Sequence, residues 1–363
     1  MRYIKGLFVL LICCFSFIIL QQFSINTYAQ DDVDAIQKFN GIVTEIVMVE
    51  EREENGIKVL EEKVKVRLED GREFENYRYG VSKAFVKYEK GDRVIIYENG
   101  ENLFIAEYNR SQGMLVLFII FVILSVVIAK KYGLYSLLAM IISFAMIFKV
   151  ILPNIISGYD PVLVVILSSL VIIPVTFYTS HGFSTKTTIA IISTIFALII
   201  AGLLSRVFMD ITYLNGMDSE ESIFIQLGEM GDVNLRGLFL AGMIVSLLGV
   251  LDDVTVSQAS VVFQLYDVNK DMSFKELYTR ALSVGRDHIS SMINTLVLVY
   301  AGASFPMLLL FVNSNRDFSE LINVEYISAE IVRTLVGSIG LILAIPIVTL
   351  FCTLWLKRKS LID

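Results

Sequence analysis

From Gly113 onward the chain passes through seven apolar segments, at about 113 to 129, 133 to 152, 161 to 179, 187 to 208, 235 to 266, 288 to 312 and 331 to 356. Each is near or above the roughly 17–25 residues that carry a helix across a hydrocarbon core of about 30 Å. A backbone in hydrocarbon must satisfy its own hydrogen bonds, so the recurrence commits most of the chain to a membrane bundle of about seven helices after an N-terminal signal. Hydrophobic residues make up 55% of the 363, with two His, one Trp and three Cys, which argues against soluble catalysis.

The N-terminus carries Arg2 and Lys5, the apolar run Leu7 to Leu20, and a polar stretch ending Thr27-Tyr28-Ala29 before Gln30. Residues 1–29 therefore read as an export signal cleaved after Ala29 or kept as an anchor, and either sends the next segment across the membrane. Cys13 and Cys14 lie in this first apolar run and Cys352 in the last, so no disulfide or metal framework is expected. Ile12 makes a lipid-attachment motif at Cys13 a poor match.

Residues 31–110 are a different polymer, with 19 Asp and Glu against 13 Lys and Arg, a net of −6 out of the chain's −7. Runs such as Val43-Thr44-Glu45-Ile46-Val47-Met48 and Val64-Lys65-Val66-Arg67-Leu68 alternate with period two, as half-buried strands do. Asn55-Gly56, Asp70-Gly71, Asn99-Gly100 and Lys90-Gly91-Asp92 supply turns. Five or so short strands predict a small barrel resembling an OB fold. No basic stripe with interleaved aromatics is present, which excludes nucleic acid as partner and favours a protein partner or a structural role. Its surface charge reads as ordinary solvation.

The basic residues Lys130, Lys131, Lys186, Lys270, Lys275, Arg280, Arg286, Lys357, Arg358 and Lys359 fall at alternate ends of the apolar segments, hence on one side. The positive-inside rule makes that side cytoplasmic and the C-terminus with it. Asp160, Asp210, Asp218, Glu220, Glu221, Asp317, Glu320 and Glu325 mark the opposite side, shared with the barrel. The domain order is thus 1–29 signal or anchor, 31–110 extracytoplasmic β domain, and 113–363 multi-pass domain in a bacterial plasma membrane. In the loop 209–234 the apolar patch Ile223 to Leu227 suits a segment lying flat on the membrane.

Within Val245 to Gln264, Asp252 and Asp253 sit in an apolar run, where a charge costs about 2.5–3.5 kcal/mol unless it has a partner or a task. Gly242, Ser246, Gly249, Asp253, Ser257, Ser260 and Gln264 recur at intervals of three and four and share one helical stripe. A small, polar stripe is either glue against a neighbouring helix or an ion or solute site. The segment 235–266 is longer than a bilayer needs, so it is tilted, protrudes inward, or is broken near the acidic pair. Ser273 to Gly285 reads as a capped interfacial helix, and Ser290, Ser291, Asn294 and Thr295 open the next span with a polar patch that can face the acidic stripe. His288 reads as an interfacial residue or a proton relay, and His181-Gly182 as a plain turn.

The run GVLDDVTVSQASVVFQLYDVNKDMSFKELYTRALSVGRDHISSMINTLVLVYAGASFPMLLLF resembles the YibE/YibF-like family of bacterial multi-pass membrane proteins. That resemblance implies the signal, β domain and helical bundle in this order, and little biochemistry. The same region is distantly similar to the SecD/SecF export proteins and the RND permeases, which implies Asp252 or Asp253 as a titrating group with Asn294 and Thr295 as neighbours. The small ectodomain and the seven helices depart from that pattern. Two functions follow: an ion-coupled permease for a small solute or ion, with Asp252, Asp253, Ser257, Asn294 and Thr295 as its coupling site, or a scaffold that recruits a protein through its outer barrel. With no HExxH, GxSxG or GxxxxGK[ST] motif, neither an enzyme nor a cofactor or metal site is expected.

Overall fold

The computed structural model describes residues 37–54, 57–81, 86–100, 102–228, 232–314 and 317–359. The signal segment and the Asn55-Gly56 turn lie outside them. The chain divides near residue 128 into two units.

The first unit contains the β domain. Its strands are β1 (Gln37–Glu54), β2 (Ile57–Leu68), β3 (Glu73–Val81), β4 (Arg93–Asn99) and β5 (Asn102–Tyr108), in the antiparallel order β3-β2-β1-β4-β5. β1 is long enough to pair with both β2 and β4, and register shifts at Val43/Glu45 and Ile46/Met48 bend it between them. The sheet curls until Asn76 Oδ1 on β3 accepts from the Ile105 N–H on β5 at 3.1 Å, giving the nearly closed five-stranded barrel that alternation predicts. Val43, Val64, Val66, Leu68, Tyr88, Val94 and Ile96 fill it. Gly41 is needed where β1 crosses this core, because a Cβ there would collide with Ile96 Cδ1 and crowd Val66. Gly71, Gly91 and Gly100 take φ of 90°, 102° and 62°, as the expected turns require.

One charge in the barrel is not solvated. Glu62 is fully buried, meets Arg78 at 2.8 Å and accepts the Tyr88 N–H at 2.9 Å, while the Arg78 guanidinium lies 4.0 Å from the centre of the Tyr88 ring. Burial is the main cause that pushes the Tyr88 and Tyr108 phenols above their ordinary value. Helix α1 (Ser111–Ala129) follows the barrel, apolar throughout and with no buried residue.

The second unit holds α2 (Lys131–Ile156, with a π turn at Ile147–Ile151), α3 (Pro161–His181), α4 (Thr185–Ile211), the short α5 (Glu220–Leu227), α6 (Leu235–Val268), α7 (Phe274–Ala303), α8 (Phe305–Val312), α9 (Phe318–Leu321) and α10 (Glu325–Lys359). Among the described residues, six helices including α1 are long and apolar enough to span, and α7 with α8 makes a seventh if that bent pair is one span. The expected span 288–312 is not a straight helix. α7 starts at the Ser273 cap and runs unbroken through Gly285, then bends by 72° into α8 at Ser304, just before Pro306, whose ring nitrogen cannot continue the hydrogen-bond ladder. α6 is likewise unbroken at the acidic pair, 34 residues or about 51 Å. The loop after α4 contains α5, closed by a Ser219/Ser222 capping box and exposing Phe224 and Leu227, as an interfacial segment does. Arg333 on α10 anchors this loop through Asp218 at 2.6 Å.

Candidate functional site

α6 is central, in contact with α3, α4, α7 and α10. The face it packs is not the small-residue stripe. Ile244, Leu247, Leu251, Thr255, Gln258 and Val262 are all buried, whereas Gly242, Ser246, Gly249, Asp253, Ser257 and Gln264 are exposed and Ser260 is half-buried. A Cβ on Gly242 or Gly249 would meet nothing within 4 Å. The two stripes have the same three-and-four spacing but are offset by two residues, about 200° around the helix, so they lie on opposite faces. Of the expected packing stripe, Ser246 bonds the Tyr300 side chain on α7, while large aliphatics with a few satisfied polar groups fill the buried face of α6.

Those polar groups are fully buried and bonded. The Thr194 hydroxyl on α4 meets that of Thr255 at 2.8 Å. Gln258 Nε2 donates to the Ala281 carbonyl on α7 at 2.9 Å and to Thr349 Oγ1 on α10 at 2.8 Å. Gly285 lets α7 come this close, since a Cβ there would lie 2.5 Å from Ile345 and 3.0 Å from Gln258.

The acidic pair sits between Leu251 and Val254, both at 0% exposure. Gly237 abuts Pro161, the first residue of α3, and Asp252 lies 15 residues, about 22 Å, further along α6. The pair thus lies level with the C-terminal end of α3 and at the middle of α6. Asp252 points at α3: its Oδ1 lies 3.7 Å from His181 Nε2, and this oxygen, shielded from solvent, accepts no hydrogen bond. Gly182, at φ 76°, ends α3 with its N–H on the Tyr178 carbonyl at 3.0 Å and so fixes His181 as the terminal residue. Fully buried Phe177, edge-on to the imidazole at 6.4 Å, forms one wall. Asp253, about 100° around α6, faces outward, within electrostatic range of Asp252, His181 and His288.

His181 on α3 thus meets Asp252 on α6, and His288 on α7 lies within electrostatic range of Asp253. The plain-turn reading of His181 is replaced by this contact. The sequence signal was the scarcity of histidine; the convergence is tertiary and leaves no spacing to read. Asn294 and Thr295, expected beside the aspartates, are exposed, and the Thr295 hydroxyl donates to the Ser291 carbonyl at 3.0 Å within its own helix. Ser257, one turn on from Asp253, shares its exposed face. Among the described residues no group of three or more His, Cys, Asp or Glu is placed to hold a metal ion. Closing the His181 to Asp252 gap by about 0.8 Å would make a charge-assisted hydrogen bond along which a proton can pass.

No curated protein and no solved structure matches the chain. The likeness to SecD/SecF and the RND permeases therefore finds no counterpart. The profile of the YibE/F-like proteins matches residues 117–358, two thirds of the sequence, from the first turns of α1 to the end of α10. The chain is an integral membrane protein of the YibE/F-like family.

Proposed function

We propose that this protein is a proton-linked permease of the bacterial plasma membrane, with its barrel outside, its C-terminus in the cytoplasm, and its coupling site at His181, Asp252, Asp253 and His288. The observation that carries the reading is the 3.7 Å approach of His181 on α3 to Asp252 on α6, with Asp253 and His288 in electrostatic range of each other. Ionisable groups at membrane depth mark ion pathways, because their cost is tolerated where they do work. Here the groups come from three helices, so a proton moving between carboxylate and imidazole changes the attraction between α3, α6 and α7. That is the kind of bias that shifts a helix pair between two arrangements. The open face of α6, with Asp253 and Ser257, provides access for solute or ion.

Proton flux into proteoliposomes tests this. Asp252→Asn, Asp253→Asn and the double variant should keep the fold and reduce flux, with different severities for the two singles because the carboxylates face different ways. Undiminished flux in the double variant would remove them from the mechanism.

A second reading is favoured by one surface. Tyr77, Tyr79 and Val81 alternate along β3 at 61%, 65% and 49% exposure, an aromatic strip on the barrel that suits a protein partner. A scaffold that recruits through this strip would lose its partner in Tyr77→Ser/Tyr79→Ser and be indifferent to the aspartate variants.

A further inference from the structure

Away from the aspartates, a cavity of about 730 Å³ opens between α3 and α4, floored by α6. It runs from Asp160, Asp210 and Asn234 at the helix ends to Ile173, 13 residues or about 20 Å along α3. A cavity of this length suits extended hydrocarbon rather than a compact solute. Its walls are aliphatic, and Leu163, Ile166 and Leu203 on its rim are 55%, 43% and 62% exposed, so the slot opens sideways to the bilayer. Gly202 keeps it open at mid-length: the nearest atom to a Cβ there is Ile244 Cδ1 at 4.0 Å.

The mouth carries two carboxylates, Asp160 and Asp210, and two guanidinium groups, Arg206 and Arg236. Arg236 takes Asp210 at 2.5 Å, and the Asp160 carboxylate caps α3 by accepting the Leu163 N–H at 2.8 Å. Arg206, one turn before Asp210 on the cavity-lining face of α4, has no ion pair or hydrogen bond among the described residues. Arg206 is exposed at this mouth, and its fork of donors matches phosphate or carboxylate oxygens.

We infer that this groove binds an amphiphile with one acyl chain in the slot and an anionic headgroup, phosphate or carboxylate, on Arg206. Binding there does not depend on proton movement at His181 and Asp252.

The test is native mass spectrometry of the full chain, titrated with lysophosphatidylglycerol, oleate and an uncharged monoacylglycerol. One saturable site is expected for at least one of the two anionic probes, and the one that binds more tightly identifies the headgroup. Arg206→Gln should weaken the anionic probes about tenfold and leave the monoacylglycerol unchanged, because only a charge-assisted contact is lost. Gly202→Trp should abolish binding of every probe; Leu203→Trp, at an exposed rim position, repeats the blockade should the glycine variant fail to fold. Adducts that do not saturate and are the same in all variants would overturn the site, and so would anionic affinity unchanged by Arg206→Gln.

Discussion

Gly285 offers the sharpest test of how the helices meet. A Cβ at this position would lie 2.5 Å from Ile345 Cγ2, 3.0 Å from Gln258 Oε1 and 3.1 Å from Gln258 Nε2. Neither neighbour can swing aside. Ile345 is fully buried, and the Gln258 amide is tied to the Ala281 carbonyl and the Thr349 hydroxyl. Gly285→Ala must therefore strain the Ile345 side chain or break Gln258 away. Overpacking of this kind costs about 1–3 kcal/mol, and two membrane hydrogen bonds at about 0.6 kcal/mol each give a comparable alternative cost. The gain in helix propensity, up to about 1 kcal/mol, offsets part of it. Gly249→Ala on α6 brings the same propensity gain where a Cβ meets nothing. The difference between the two variants, free of the propensity effect, should be about 1–3 kcal/mol, with Gly285→Ala the less stable. Unfolding by SDS titration in mixed micelles measures it. Equal stabilities, or a larger loss for Gly249→Ala, would refute the packing and return the interface to the small-residue stripe.

In the barrel, Glu62→Ala removes the buried carboxylate that pairs with Arg78 and should cost toward the lower end of about 3–5 kcal/mol, because Arg78 keeps some solvent and its bond to the Val86 carbonyl; Glu75→Ala, which breaks the partly exposed pair with Lys63, should cost at most about 1 kcal/mol in the same unfolding measurement. The phenols of Tyr88 and Tyr108 are held above 10.0 by burial, so the stability they contribute is complete below that pH and is lost as pH rises through their raised folded values; tyrosine circular dichroism from pH about 9 to about 12 should show it, and stability that rises over this window would contradict the assignment. For orientation, Glu69→Cys should react with an impermeant thiol reagent in intact cells and Lys270→Cys should not, whereas the opposite pattern would invert the membrane topology.

What was legible in the sequence is what depends on local length and period. The spans follow from runs of 17 or more apolar residues, and the barrel from alternation such as Val64, Val66 and Leu68, punctuated by glycines that adopt positive φ. The break at Ser304 had a signal in Pro306, but the apolar run continues across it and length alone reads as one helix. The packing face of α6 was not legible, because both its stripes repeat every three and four residues. A preference for small residues at membrane interfaces selects Gly242 and Gly249, while the structure packs Leu247, Leu251 and Gln258. The site was half legible. Asp252 and Asp253 stand out as charges in an apolar run, but His181, which meets Asp252, is 71 residues away at the end of another helix.

The central claim is that His181 and Asp252 act as one protonating unit, and a double-mutant cycle on proton flux tests it most directly. His181→Gln, Asp252→Asn and the double variant are reconstituted at equal protein and compared with the unmodified chain across pH. If the pair works together, each single variant loses most of the flux and the double loses little more, so the effects are far from additive. Losses that multiply, or a His181→Gln variant with unaltered flux and pH dependence, would contradict it.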